Sequence, residues 1–505
     1  MLKSSISGID AFWTRHPALF IGVSFFVGCS CALNVHLFSY LDLLLLPLFV
    51  VLFGVSRLGW AFLLVCVAFC TTSVRVTVPL KPTRCTGVLS AEVGDRHLVT
   101  LHGRQLWKLM LMVHSFRTFD GNVVLKGVTV PVTLPAPCPL VGGNLYSVNA
   151  RLQVDEKLMV RVRPCLGKEV HPKGSTLSLV EWRLGIKRAL ERMFVRLFSD
   201  LETRHVAGGL TFGLFKDPLL QQCMHRAGVE HVLAVSGFHF GIVAALTVFL
   251  AQGLAPKRRA LLAMICLTLY LLIIGPLPSV VRAWCAAMVA LGGICLDRRA
   301  SGVNCLGVGL IAAVFYDPAS VTGIGFQLSF LATGAILFFS RPVLAYLRVL
   351  FPVRQVQDVV HFSRADQVVL LLLGWFMPAL SLLIPVFVVV CPYQLAFLQD
   401  FSLLGLVYNL LIPALFSLAM PVVLLAISLY PIPWVPQILA LVAEIPLRLG
   451  LLLVENTPET TWSMAAGGVI PPTVGRLIII SVFLAGMALQ GRADDEHADL
   501  WKACL

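Results

Sequence analysis

Three apolar stretches open the chain, at about 17–33, 37–55 and 58–73, each close to the length a bilayer crossing requires. The texture then changes. From Arg75 to Lys173 the apolar residues come in short, broken, partly alternating runs such as 86-TGVLSAEV, 107-WKLMLMV, 122-NVVLKGVTVPV, 145-LYSVNARLQV and 158-LMVRVRP. Period-two alternation interrupted by Gly, Pro and Asn predicts about five short strands. Five strands in so short a segment suit a small barrel of the OB-fold type. In 181-EWRLGIKRALERMFVRLFSDL-201 the period lengthens, with Trp182, Ile186, Leu190, Met193, Leu197 and Leu201 three or four apart on one face. Lys187, Arg188, Arg192 and Arg196 fall off that face. This predicts an amphipathic basic helix, lying in a membrane interface or packed on the barrel. Beyond Gly209 the apolar runs return at about 235–252, 260–277, 278–296, 303–316, 320–340, 367–389, 402–428, 434–454 and 474–490, and a polar tail closes the chain.

The expected architecture is a polytopic α-helical membrane protein of about twelve spans with a small β-barrel domain. Its parts are N-terminal membrane helices (1–74), a β domain (75–175), a basic helix (176–208), a second membrane region (209–490) and a tail (491–505). Composition agrees: 58% of the 505 residues are hydrophobic and only 13% are charged, whereas soluble domains average about 25% charged. The fourteen cysteines form no metal-binding spacing, and most lie in apolar runs, where cysteine acts as a small hydrophobe.

Charge then supplies orientation. Lys257, Arg258, Arg259, Arg298, Arg299 and the arginines of 341–364 fall in alternate loops, while 317-DPAS and 391-CPYQLAFLQD carry no Lys or Arg. With the basic loops on the cytoplasmic side, both termini are cytoplasmic and the β domain lies outside. That outside segment has 14 Lys and Arg against 6 Asp and Glu between Arg75 and Lys173, a net of +8. Orientation does not account for a basic domain outside. A basic barrel with Trp107, Phe116, Phe119 and Tyr146 to stack on suits single-stranded nucleic acid, although each ring is equally suited to a core.

Polar groups inside the apolar region are few, and each is a functional candidate. The run 229-VEHVLAVSGFHFGIVAALTVFL-250 begins with His231, Ser236, Gly237 and His239, groups that hydrocarbon disfavours. Irregular backbone at membrane depth is tolerated only against protein or a wet cavity, so a broken helix lining an aqueous path is expected here. Arg282 in 279-SVVRAWC has no acidic neighbour in sequence and either snorkels outward or holds an anion or a facing carbonyl inside the bundle. Gln327, with Ser329, and Asn409 serve either as glue between helices or as path lining. Glu444 and Arg448, four apart, predict a structural ion pair. No P-loop, H-E-x-x-H or G-x-S-x-G occurs, so no enzyme activity, metal or cofactor is expected.

The block 225-HRAGVEHVLAVSGFHFGIV-243 resembles the signature of the ComEC competence family, and 279-SVVRA, 316-YDPAS, 325-GFQLSF and 408-YNLLIP follow in the family's order. The resemblance is strong over about 205–430. It implies a channel passing single-stranded DNA across the bacterial inner membrane, with an OB-like domain outside and His231, Ser236, Gly237, His239, Arg282, Gln327 and Asn409 along the path. The basic helix would gather DNA, and an outer DNA receptor, a cytoplasmic motor and a separate nuclease would be its partners. The H-x-H-x-D-H metal motif of many members' lactamase-like domain is absent from the sequence. A disulfide in the OB-like domain, as some relatives have, would join two of Cys85, Cys138 and Cys165. A secondary transporter or flippase for a small anion or lipid is the alternative, since broken helices serve that class equally.

Overall fold

The computed structural model describes residues 2–33, 57–79, 83–101, 104–135, 140–154, 160–164, 178–214, 218–298, 300–351, 363–398, 401–402, 404–458, 463–464, 471 and 474–487. The apolar run at 37–55 and the tail from 491 lie outside these.

The N-terminal runs form helices α1 (Leu2–Arg15), α2 (Pro17–Leu33) and α3 (Leu58–Arg75). Pro17 removes a backbone donor at the junction of the first two, and the chain turns there through 102°. Ile9, Phe12 and Trp13 of α1 are buried, a packed helix that the mixed polarity of its sequence did not predict. The second membrane region supplies α4 (Leu179–Leu197), α5 (Leu201–Phe212), α6 (Pro218–Arg226), α7 (Glu230–Leu233), α8 (Gly237–Leu250), α9 (Pro256–Ile274), α10 (Pro278–Cys295) and α11 (Gly302–Tyr316). It continues through α12 (Ile324–Leu350), α13 (Arg364–Tyr393), α14 (Gly405–Ser428), α15 (Val435–Glu455) and α16 (Val474–Met487).

The protein is a mostly helical, polytopic membrane protein. By length and apolarity five of the described helices can cross a bilayer, six if α1 and α2 count as one bent span. Helices α8, α10, α11 and α16 are apolar but shorter, so length alone does not reach twelve crossings. The 402–428 run is one helix despite Pro413 and Pro421. Close helix packing is set by small residues: a Cβ on Gly307 of α11 would collide with the backbone of Ala18 and Leu19 in α2.

The polar segment folds into strands β1 (Thr83–Leu101), β2 (Arg104–Thr118), β3 (Val123–Leu125), β4 (Val128–Pro135), β5 (Leu145–Val154) and β6 (Val160–Pro164). Their order is β3-β2-β1-β5-β6, with β4 also on β2. Leu89, Val93, Leu109, Phe116, Val132 and Leu152 fill the concave side. Register shifts at Ser90/Ala91 and Val93/Asp95 bend β1 against β2, as bulges do. Among the described residues no ladder joins β4 to β6, so the sheet curls without closing into the expected barrel.

Lateral contacts sort the loops into two ends. At one, Lys126 donates to the Val74 carbonyl (3.1 Å), Arg75 to that of Phe315 (3.0 Å), and Gly142 N–H to Glu181 (2.6 Å). Sheet and bundle meet there. At the other, Arg57 donates to Thr14 (2.6 Å), Asn304 to the Arg15 carbonyl (3.1 Å), and Lys257 pairs with Asp297 (2.5 Å).

Candidate functional site

The site is built on an interrupted helix. The backbone turns extended at Ala234 and Ser236, between α7 and α8, leaving backbone groups that a continuous helix would have used. Side chains take them instead. Ser279 at the start of α10 donates to the Val235 carbonyl (3.1 Å), and the Ser236 N–H donates to Nδ1 of His239 (3.1 Å). Because Nδ1 accepts that bond, the neutral ring carries its hydrogen on Nε2. His239 is wholly buried, and among the described residues its Nε2 meets no partner of full hydrogen-bond geometry, although the Leu210 backbone lies close to the ring.

Against this break lies Arg282, only 7% exposed. Its Nε donates to the Ser329 hydroxyl of α12 (2.9 Å), its guanidinium covers the Phe330 ring (5.7 Å), and its Nη2 rests beside Gly237. Among the described residues no carboxylate pairs with it, which is unusual for a buried charge. Ser236, Gly237, His239 and Arg282 thus form one cluster, to which the structure adds Ser279 and Phe330. Those two gave no signal beyond lying next to polar or glycine positions, because helix-to-helix register is not written in periodicity.

The other predicted residues sit apart. His231 is exposed on α7, whose Glu230 pairs with His225 (3.0 Å). Gln327 donates to the Val321 carbonyl (2.8 Å) and accepts from the Tyr393 hydroxyl (2.6 Å), tying α12 to the end of α13. Asn409 donates to the carbonyls of Gly228 (3.1 Å) and Gly405 (2.7 Å). Gly228, with φ of 69°, approaches Gly405 so closely that a side chain would strain both backbones. Both amide nitrogens are therefore occupied by backbone carbonyls. Glu444 and Arg448 do pair, at 2.7 Å.

Helix α4 presents its basic residues differently from expectation. Leu184, Leu190 and Phe194 are buried with Arg183, while Trp182 is 48% exposed, so the inward face is rotated from the predicted one. Arg183 donates to the Leu272 carbonyl (2.8 Å) and Lys187 to that of Ile274 (3.1 Å), capping α9 and satisfying carbonyls its last turn leaves open. Arg188, Arg192 and Arg196 line a groove of about 720 Å3 together with Glu191. Burial pushes the Glu191 carboxyl above its ordinary range, against the pull of Arg188 and Lys187.

On the sheet, Phe116 and Tyr146 are core residues, Tyr146 accepting from the Val141 N–H (2.7 Å), and Trp107 is half-buried; Phe119 stands exposed at a hairpin tip. The outward face carries a ladder of arginines. Arg151 stands directly opposite Arg163 and Thr86, Gln153 opposite Arg84 and Arg161, and Val88 opposite Arg117. All five arginines are exposed. Cys85 forms no disulfide among the described residues, burial pushes its thiol up, and Cys138 and Cys165 lie outside them. No three His, Cys, Asp or Glu side chains converge among the described residues.

Apolar helices, one of them interrupted next to a buried arginine that has no carboxylate partner among the described residues, define a polytopic membrane protein with a polar centre inside its bundle. Residues 216–492, more than half of the chain, match the sequence model of the family described as Competence protein, and the chain belongs to that family. It is similar to ComE operon protein 3 of Bacillus subtilis (strain 168), 30% identical over 117 residues. That match covers 23% of this chain and 15% of the relative. No solved structure matches the chain.

Proposed function

We propose that the protein conducts DNA, as one strand, across the inner membrane during natural transformation, with Arg282 and His239 as the polar centre of the path. The observation that carries this is the buried Arg282 guanidinium, held by a hydroxyl and a ring but, among the described residues, by no carboxylate. A charge so placed is costly unless something anionic visits it. The Nε2–H of His239, at the same helix break, is a second donor, with no partner of full hydrogen-bond geometry among the described residues. Neither is a strong enough holder to trap a phosphate, and weak, repeated binding is what a conducting path requires. Gln327 and Asn409 act by tying the helices around the break rather than by touching cargo, and His231 lies toward its mouth.

The open curled sheet, read as an OB-like domain, and the α4 groove collect DNA by their arginines, with affinity falling as salt rises. The loops with Arg15, Arg57 and Lys257 lie at the end away from the sheet, which supports a cytoplasmic end there and the sheet outside. An outer receptor, a cytoplasmic motor and a separate nuclease complete the process.

Transformation frequency with Arg282→Ala, at matched membrane levels, is expected to drop at least a hundredfold; unchanged uptake removes Arg282 from the path. Liposomes holding the full chain separate this reading from a small-anion transporter. Entry of a labelled single strand supports the channel, and flux of small anions alone overturns it.

A further inference from the structure

Helix α12 reaches α1 and α16 at Phe338, whose ring packs on Phe12 (5.5 Å) and Phe483 (5.6 Å). It then continues twelve residues to Leu350, about 18 Å further, paired with the first half of α13. Between the two helices this extension holds a cavity of about 200 Å3 lined, among the described residues, by apolar side chains, including Leu347, Phe351, Leu373, Phe376 and Met377. No polar atom of the described residues faces it, which favours an apolar occupant over water or a soluble ligand. Alongside it, Arg341 and Arg348 stand seven residues apart on one face of α12, both exposed and neither ion-paired among the described residues.

An apolar slot on the same helix as two guanidinium groups that form no ion pair among the described residues matches one molecule type abundant around a membrane protein. We propose that the α12–α13 extension holds one anionic phospholipid, with an acyl chain in the cavity and its phosphate on Arg348 and Arg341. Guanidinium binds phosphate by paired N–H donors, and basic residues beside membrane helices favour anionic head groups. A zwitterionic lipid brings its own cation to the same place and gains less. The site lies away from the broken helix, so it stands or falls independently of the transport reading.

The test uses the full chain in nanodiscs of phosphatidylglycerol mixed with phosphatidylcholine, followed by native mass spectrometry. Retention of one phosphatidylglycerol is expected. R341Q/R348Q, both on the surface, should lower that retention about tenfold while leaving bound phosphatidylcholine unchanged. L373W, which fills the cavity, should abolish it. Equal retention of the two lipids, insensitive to the arginine pair, would mean ordinary annular lipid and overturns the proposal. A dimer that L373W dissociates would give the cavity to a second copy of the chain, and equally overturns it.

Discussion

The sheet and the bundle handle positive charge in opposite ways. On the sheet, arginines crowd one solvent-facing surface, with Arg151 directly opposite Arg163, an arrangement that weakens strand pairing. Water makes that tolerable, and stability comes from the apolar concave side. In the bundle Arg282 is buried, and three elements surround it: a hydroxyl from α12, a ring next to that hydroxyl, and a glycine at the helix break. On the sheet, charge is held in number and loosely; in the bundle, Arg282 is held by specific neighbours. On the proposed reading, the contrast separates a surface that gathers from a point that contacts.

Three substitutions sharpen or break this contrast. The largest effect belongs to packing: Gly307→Val would drive α2 and α11 apart, costing about 3 kcal/mol or more, and should appear as loss of monodisperse protein on size exclusion. Normal recovery would show that the two helices need not touch. Next, Asn409→Ala removes two bonds to buried carbonyls and is expected to cost about 2 kcal/mol, read as a lower unfolding temperature with Arg282-dependent transport reduced in step. Transport lost at full stability would place Asn409 on the path itself. The smallest effect has the opposite sign. Arg163→Glu turns a repulsive cross-strand pair into an attractive one and should stabilise the sheet by about 0.5 kcal/mol while weakening DNA binding by the full chain. Stability gained without loss of binding would exclude the arginine ladder from DNA contact.

Helix positions were largely legible, because an apolar run in a polar chain has one use. The run at 303–316 became Gly302–Tyr316, and 434–454 became Val435–Glu455. Ends were less so: α12 passes through Pro342 and runs to Leu350, since a proline inside a supported helix bends it without stopping it. Helix α1 was missed because its lysine and serines mask Ile9, Phe12 and Trp13. The broken helix was legible from Ser236, Gly237 and His239, where polar and flexible residues interrupt an apolar pattern. The orientation of α4 was not. Arg183 is buried by carbonyls from an element ninety residues away, a partner that no local period reveals.

Those carbonyls have a kinetic consequence. Because Arg183 and Lys187 are committed to the end of α9, an approaching polyanion feels chiefly Arg188, Arg192 and Arg196, diluted by Glu191. On the proposed DNA-conducting reading, long-range steering by this helix is therefore weaker than its formal charge implies, and most of the acceleration of encounter would fall to the arginines of the sheet.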